Sequence, residues 1–190
     1  MVSFTQAQQV DVAAGAGTVW SSEPSTASLA FPPPAMKGGI YPSLGVQYLR
    51  ENHLGINVEG SFRATEAIYN SYQPYRPILY DANAVYARTL ATKARGDFMA
   101  GIGGQTLLFY SAGACGPNGG CRSFVNSTHF ALHAGFDVRY YVWRNFFVRP
   151  EVHYYFVPNN FEFHSDNVFR LGVSIGHTFG SHANPKPPKK

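Results

Sequence analysis

The chain has no run approaching the roughly 18 apolar residues that a membrane helix needs, and its mean hydropathy is below zero, at -0.17. Charge is sparse, at 14% of residues, and there are only two cysteines. If this protein crosses a membrane, it must do so with strands. Disorder is excluded from the other side of the composition, because 45% of residues are hydrophobic and 15% aromatic, well above what an unfolded segment carries. A chain of 190 residues is one domain's worth, enough for a single core or one closed barrel.

The net charge of +4 and pI near 9.1 raise the question of nucleic acid. Lys186, Lys189 and Lys190 lie in the last six positions, and no basic stripe interleaved with aromatics follows elsewhere, so no nucleic-acid partner is expected. Cys115 and Cys121 flank the turn-forming insert "GPNGG". They read as a disulfide stapling a loop in an oxidising compartment, since a thiol metal site would need further ligands nearby. The start, "MVSFTQAQQVDVA", lacks a basic segment followed by an apolar stretch. It is not a signal peptide as it stands, and a secreted reading requires that one was removed.

What the sequence does contain is alternation. "HFALHAGFDVRYYV" (129–142) sets Phe130, Leu132, Ala134, Phe136, Val138, Tyr140 and Val142 against His129, His133, Gly135, Asp137 and Arg139. Alternate residues of a strand face opposite sides of a sheet, so one face is apolar and the other charged. Eight such segments can be placed, at 10–20, 38–49, 54–64, 78–88, 97–109, 129–142, 146–156 and 168–179. No segment of helical period competes. Short connections ("RENH", "TLATKARG", "WRN") alternate with long ones ("SSEPSTASLAFPPPAMK", "TEAIYNSYQPYRP", "YSAGACGPNGGCRSFVNST", "VPNNFEFHSDN"). An even strand number with short turns at one end and long loops at the other is the layout of an outer-membrane barrel, with both termini on the short-turn, periplasmic side.

Which face is inside decides the class. The polar set holds Asp11, Glu59, Arg63, Asp81, Asp137, Arg139, Arg149, Glu151 and Arg170, and no mid-strand lysine. A soluble surface uses lysine freely, whereas arginine with carboxylates suits groups that pair in a confined interior. The apolar set carries Tyr48, Tyr80, Tyr86, Tyr140, Trp143 and Tyr154 near strand ends, as the aromatic girdles of a membrane barrel would. Glycines such as Gly101, Gly103, Gly172 and Gly176 fall on the polar set, where a narrow lumen leaves little room. The expected fold is therefore all-β, an eight-stranded antiparallel up-and-down transmembrane β-barrel. Its charged face points inward and its last strand pairs with its first, because lipid cannot satisfy an open edge. The competing soluble, lipocalin-like barrel would have to turn the charged face to water.

On this pattern, and on the closing strand "RLGVSIGHTFG", the chain resembles the small eight-stranded outer-membrane barrels, similar to the transmembrane domain of OmpA and to opacity-type proteins. The resemblance covers Val10 to Phe179. It implies surrounding outer-membrane lipids and lipopolysaccharide. It also implies an insertion machinery that reads alternating apolar residues and a terminal aromatic, here Ile175, His177 and Phe179. Two features depart from the pattern: His177 stands where an aromatic is usual, and Gly180 to Lys190 run past the expected end. OmpA-like chains also carry a peptidoglycan-binding domain, and "NPKPPKK" offers none. The expected organisation is an N-terminal periplasmic segment at 1–9, the barrel at 10–180 and a Pro/Lys-rich periplasmic tail at 181–190.

Four groups of residues are candidates for function. An eight-stranded barrel has room only for its own side chains, so Glu59, Arg63, Asp81, Asp137, Arg139, Arg149, Glu151 and Arg170 should form a lumen network, either a structural plug or a gate. His129 and His133 are about 13 Å apart on one strand and cannot share an ion. A cross-strand pair with His153 stays open, but no metal or cofactor is expected. "NSTHF" places Ser127 and His129 at a rim, where some barrels act on lipid A, but the spacing matches no such enzyme, and none is expected. Tyr69, Tyr72, Tyr75 and Arg76 in a long loop suit a protein or glycan surface. The resulting expectation is a structural or adhesive barrel whose loops meet an extracellular protein or glycan. A small gated pore and a subunit of a larger assembly with envelope partner proteins are the alternatives.

Overall fold

The computed structural model describes residues 9–22, 35–50, 53–111 and 123–180. These form nine strands: β1 (Gln9–Ser21), β2 (Tyr41–Leu49), β3 (Leu54–Phe62), β4 (Ala67–Tyr69), β5 (Gln73–Ala91), β6 (Ala94–Ser111), β7 (Ser123–Trp143), β8 (Phe146–Phe156) and β9 (Asn167–Gly180). Eight make the wall of a closed antiparallel barrel, and β4 is a short extra strand paired with the start of β5. Closure runs through β1 and β9, in register from Gln9 opposite Gly180 to Ser21 opposite Val168. The ring is completed where β3 pairs with β5.

The alternation resolves as a greasy outside. Leu44, Ile56, Val58, Ile102, Leu132, Val173 and Ile175 are all exposed on the outer wall, while Asp11, Glu59, Asp81, Asp137, Arg139, Arg149, Glu151 and Arg170 are buried within it. Aromatic side chains ring both ends of this belt. Tyr86, Phe98, Tyr140, Trp143, Phe146 and Phe179 stand at the short-turn end, and Phe62, Tyr80, Phe130 and Phe156 at the long-loop end. Phe130 to Tyr140 on β7 is eleven residues, which rise about 25 Å at a tilt of about 40°, the height of a lipid-facing band.

Three strands exceed their expected limits. β5 and β7 continue above the belt through Gln73–Pro77 and Ser123–Thr128, β6 runs to Ser111, two residues past its expected end at Phe109, and "TLATKARG" narrows to a turn at Thr92 and Lys93. Apolar alternation fades beyond the belt because the outward positions there meet water, as the exposed Thr106–Thr128 hydroxyl pair at 3.1 Å illustrates. The backbone ladder continues without it.

The lumen is layered. At the long-loop end Val19, Met36, Tyr41, Tyr75, Leu79, Leu107, Ala131, Tyr155, Val157, Phe163 and Val168 form one apolar cluster, with Tyr69 and Phe109 packed on it. Small apolar clusters, Leu49–Val85–Ala87–Met99 and Ala13–Tyr141–Phe147, lie toward the short turns. Between them is the polar layer.

Candidate functional site

The polar layer is built by strand parity and then by reach. In register, Asp97 faces Asp137, Asp137 faces Glu151, and Glu59 faces Asp81. Carboxylates directly opposite one another repel, so nearest neighbours cannot satisfy them. Guanidiniums do so for Glu59, Glu151 and Asp97, whereas Asp81 takes neutral donors and Asp137 is left with Arg149 3.6 Å away. Arg149 on β8 reaches Glu59 Oε2 on β3 at 2.8 Å and Glu151 Oε2 at 2.8 Å, and its Nε donates to Ser174 Oγ at 2.9 Å. Arg170 on β9 bridges Glu59 and Glu151, meeting Glu151 Oε1 at 3.0 Å. Nearer the short turns, Arg139 lies between Asp11 and Asp97, with its Nε 2.6 Å from Asp97 Oδ2. Gln9 donates to both oxygens of Asp11 and accepts from Arg95 at 2.9 Å. Four of these contacts, Arg149–Glu59, Arg170–Glu59, Arg139–Asp11 and Arg95–Gln9, join strands that do not touch in the sheet and brace the barrel from within.

A third group lies above. Asp81 accepts from the Tyr155 hydroxyl at 2.8 Å and from Asn83. The Asn83 amide nitrogen also serves Asn57, so its oxygen accepts from His133 Nδ1 at 2.6 Å. His133 Nε2 is then the acceptor for His153 Nδ1 at 3.0 Å. His153 Nε2 is left without a hydrogen-bond partner, 3.9 Å from Glu59 and 4.0 Å from Glu151. The His133–His153 pair left open by the sequence thus exists across β7 and β8. Asp81–His133–His153 and Glu59–Glu151–His153 each place ligand atoms within 4.8 Å of one another. In the first set both His133 nitrogens are already engaged. In the second Arg170 spans the carboxylates, so an ion would have to displace it.

Of the expected network, seven residues fall in this buried layer. Arg63 does not. It lies just past the end of β3, and its guanidinium rests against Gly39, whose φ of 91° and missing side chain admit it. Asp97, fully buried on Arg139, was missed: it opens its alternating segment, so no preceding residue showed its face.

The loop surface also needs correction. Tyr75 is buried in the apolar cap and Tyr69 is half-buried, its hydroxyl donating to the Glu162 carbonyl at 2.7 Å. Burial, with Glu162 nearby, pushes the Tyr69 phenol above its usual range. The cause is the β4–β5 hairpin, which folds this segment over the barrel mouth. Tyr72 remains exposed, and Arg76 is half-buried beside the Tyr110 ring. Met36 and Phe163, both fully buried in the cap, come from long loops that carry no periodicity to mark them. Cys115 and Cys121 lie outside the described residues.

The rim does assemble Ser127, His129 and an acid, Glu162. Ser127 Oγ is 3.1 Å from His129 Nε2, and Glu162 is 2.8 Å from that same nitrogen. A hydrolytic triad uses the two ring nitrogens separately, one for the acid and one for the serine. Here both groups meet the same nitrogen, and Glu162 Oε2 makes no hydrogen bond, so the three residues do not form such a triad.

At the closing strand, Ile175 and Phe179 are exposed on the wall, and His177 is enclosed by the rings of Phe146 at 4.6 Å and Phe179 at 4.5 Å. The imidazole occupies a ring position in the girdle.

No protein-family model matches the chain, and no curated protein sequence matches it. Solved structures do. Neisserial surface protein A aligns at 16% identity over 90% of this chain and 97% of its own, with a TM-score of 0.65. Ail, the attachment invasion locus protein of Yersinia pestis, solved with the heparin analogue sucrose octasulfate, aligns at 13% identity over 91% and 99%, with a TM-score of 0.62. OprG of Pseudomonas aeruginosa aligns at 11% identity over 93% and 98%, with a TM-score of 0.58. With the closed, inside-out barrel described above, these likenesses show that the chain has the fold of the small eight-stranded outer-membrane β-barrels.

Proposed function

We propose that the protein is an outer-membrane barrel with a structural and adhesive role, which displays its long-loop end outside the cell and keeps both termini in the periplasm. The observation that carries this reading is the lumen. Among the described residues a cross-braced charged layer lies beneath an apolar cap, and the wall of β5–β7 rises above the lipid belt as a rigid platform. A closed interior and a raised exterior favour display over transport. The pore alternative would require the Arg149 and Arg170 pairs to part, stranding buried charges.

Large apolar side chains stay exposed at the long-loop end: Ile68, Tyr72, Phe124, Val125 and Phe161. Such residues on a rigid scaffold suit contact with another macromolecule, and Arg76 adds a cation beside them. Ail's complex with a sulfated sugar makes a sulfated glycan a sensible first probe. In this reading the segments at 1–8 and 181–190 lie in the periplasm, Gln9 belonging to β1, and the Cys115–Cys121 pair staples a displayed loop. No turnover is assigned.

The test pairs two assays. Proteoliposomes carrying the barrel are passed over immobilised heparin, and the same protein is examined in planar bilayers. Retention on heparin that falls on Tyr72→Ser with Arg76→Ser, together with no stepwise current, supports the reading. Sustained single-channel steps without retention would contradict it and favour the pore.

A further inference from the structure

The outer wall at the short-turn end holds a groove of about 390 Å³ lined by Trp143, Arg144, Asn145, Phe146 and His177. It lies where the turn between β7 and β8 meets β9, and it opens beside the lipid-facing Ile175 and Phe179. One side is aromatic. Trp143 and Phe146 stack at 5.9 Å and 13°, and the His177 imidazole is wedged between Phe146 and Phe179. The other side is cationic. The Arg144 guanidinium lies 6.0 Å above the Trp143 ring, and no carboxylate among the described residues pairs with it.

The turn itself is unusual. Arg144 has a φ of 45°, a left-handed conformation that glycine or asparagine adopts at lower cost and arginine rarely does. Asn145 holds the turn against β9, its Nδ2 donating to the Thr178 carbonyl at 2.9 Å and its own carbonyl accepting from the Thr178 N–H at 2.9 Å. A turn selected only to reverse the chain has no need of arginine at the left-handed position. His177 departs from the expected aromatic in this same groove, which gives a second polar group facing the same space.

We propose that this groove binds the headgroup phosphate of an anionic glycerophospholipid. Arg144 supplies charge-assisted hydrogen bonds to the phosphate and His177 a further polar contact, while Trp143, Phe146 and Phe179 line the glycerol and the first methylenes. The occupant is a lipid rather than free phosphate because the groove opens onto the apolar belt and half its lining is aromatic. A net negative headgroup is favoured over a zwitterionic one because no carboxylate among the described residues faces Arg144 to receive an ammonium. The inference rests on the belt lying in a bilayer, as proposed above.

The test refolds the protein into vesicles of phosphatidylcholine with a minor share of phosphatidylglycerol. The protein is then extracted in mild detergent, and its retained lipid is quantified by mass spectrometry. Retained phosphatidylglycerol is expected on the order of fivefold above its share of the bilayer, the preference one interfacial cation confers. Arg144→Gly relieves the backbone and removes the charge. It should fold at least as well, judged by the mobility shift on boiling, and lose the enrichment. His177→Phe keeps a ring in the girdle and should lose part of it. Arg88→Ser removes a different exposed cation on the wall and should change nothing. Enrichment that is absent in the parent protein, survives Arg144→Gly, or falls equally with Arg88→Ser overturns the site. A barrel that folds in plain buffer overturns the membrane reading instead, and the groove's role with it.

Discussion

The middle of the lumen is lined by inward strand positions and the cap above it by inward positions of the same strands together with loop residues, yet the two hold together by opposite means. In the middle, Arg149 and Arg170 clasp Glu59 and Glu151, and Arg139 clasps Asp11 and Asp97, with all but the Arg149–Glu151 contact running between strands. In the cap, Met36, Tyr75, Leu79 and Phe163 simply exclude water. A charged layer is specific and brittle, because each partner is buried for the sake of another. An apolar layer tolerates change in proportion to the volume lost.

That contrast sets the order of expected effects. Arg139→Met should be the most damaging, leaving Asp11 buried without a cation and Asp97 with only Arg95, 3.7 Å away, at about 4 kcal/mol, read as a lowered urea midpoint for the detergent-folded barrel. Phe163→Ala should cost about 3 kcal/mol, a cavity penalty in the cap, by the same measurement. Asp137→Asn should move the other way or hardly at all. Both its carboxylate oxygens lack hydrogen-bond partners and Arg149 stays 3.6 Å away, so the change removes a poorly compensated charge, with stability within about 1 kcal/mol of the parent. The smallest effect separates inside from outside. Ile102→Leu on the lipid face should change stability by less than about 0.5 kcal/mol, because lipid has no fixed shape. Leu79→Ile in the cap should cost about 1 kcal/mol, since its neighbours are packed solid.

How far the sequence could be read follows the same division. Period-two alternation located all eight wall strands, because lipid on one side and a filled lumen on the other impose opposite chemistry on alternate residues. It lost the upper parts of β5 and β7, where the outward positions meet water and the contrast vanishes. Parity identified most of the charged layer but not its pairing. Which arginine meets which carboxylate depends on how the strands stagger around the closed barrel, as Arg170 reaching from β9 to Glu59 on β3 shows. Tyr75 read as loop surface because nothing local announced the β4–β5 hairpin that turns it inward. Met36 and Phe163 belong to loops, whose contribution to the cap depends on tertiary folding alone. His177 was visible as a departure from a pattern, but its meaning needed Arg144 and Trp143 beside it.

The central claim is that the greasy face belongs in lipid and the charged face inside. The most direct measurement is refolding from urea in parallel into detergent micelles and into plain buffer, followed by circular dichroism and gel mobility before and after boiling. Strand signal and a boiling-dependent mobility shift appearing only with detergent are the predicted result. A cooperatively folded, soluble monomer in plain buffer would contradict it, because Ile102, Leu132 and Ile175 would then have to be inside.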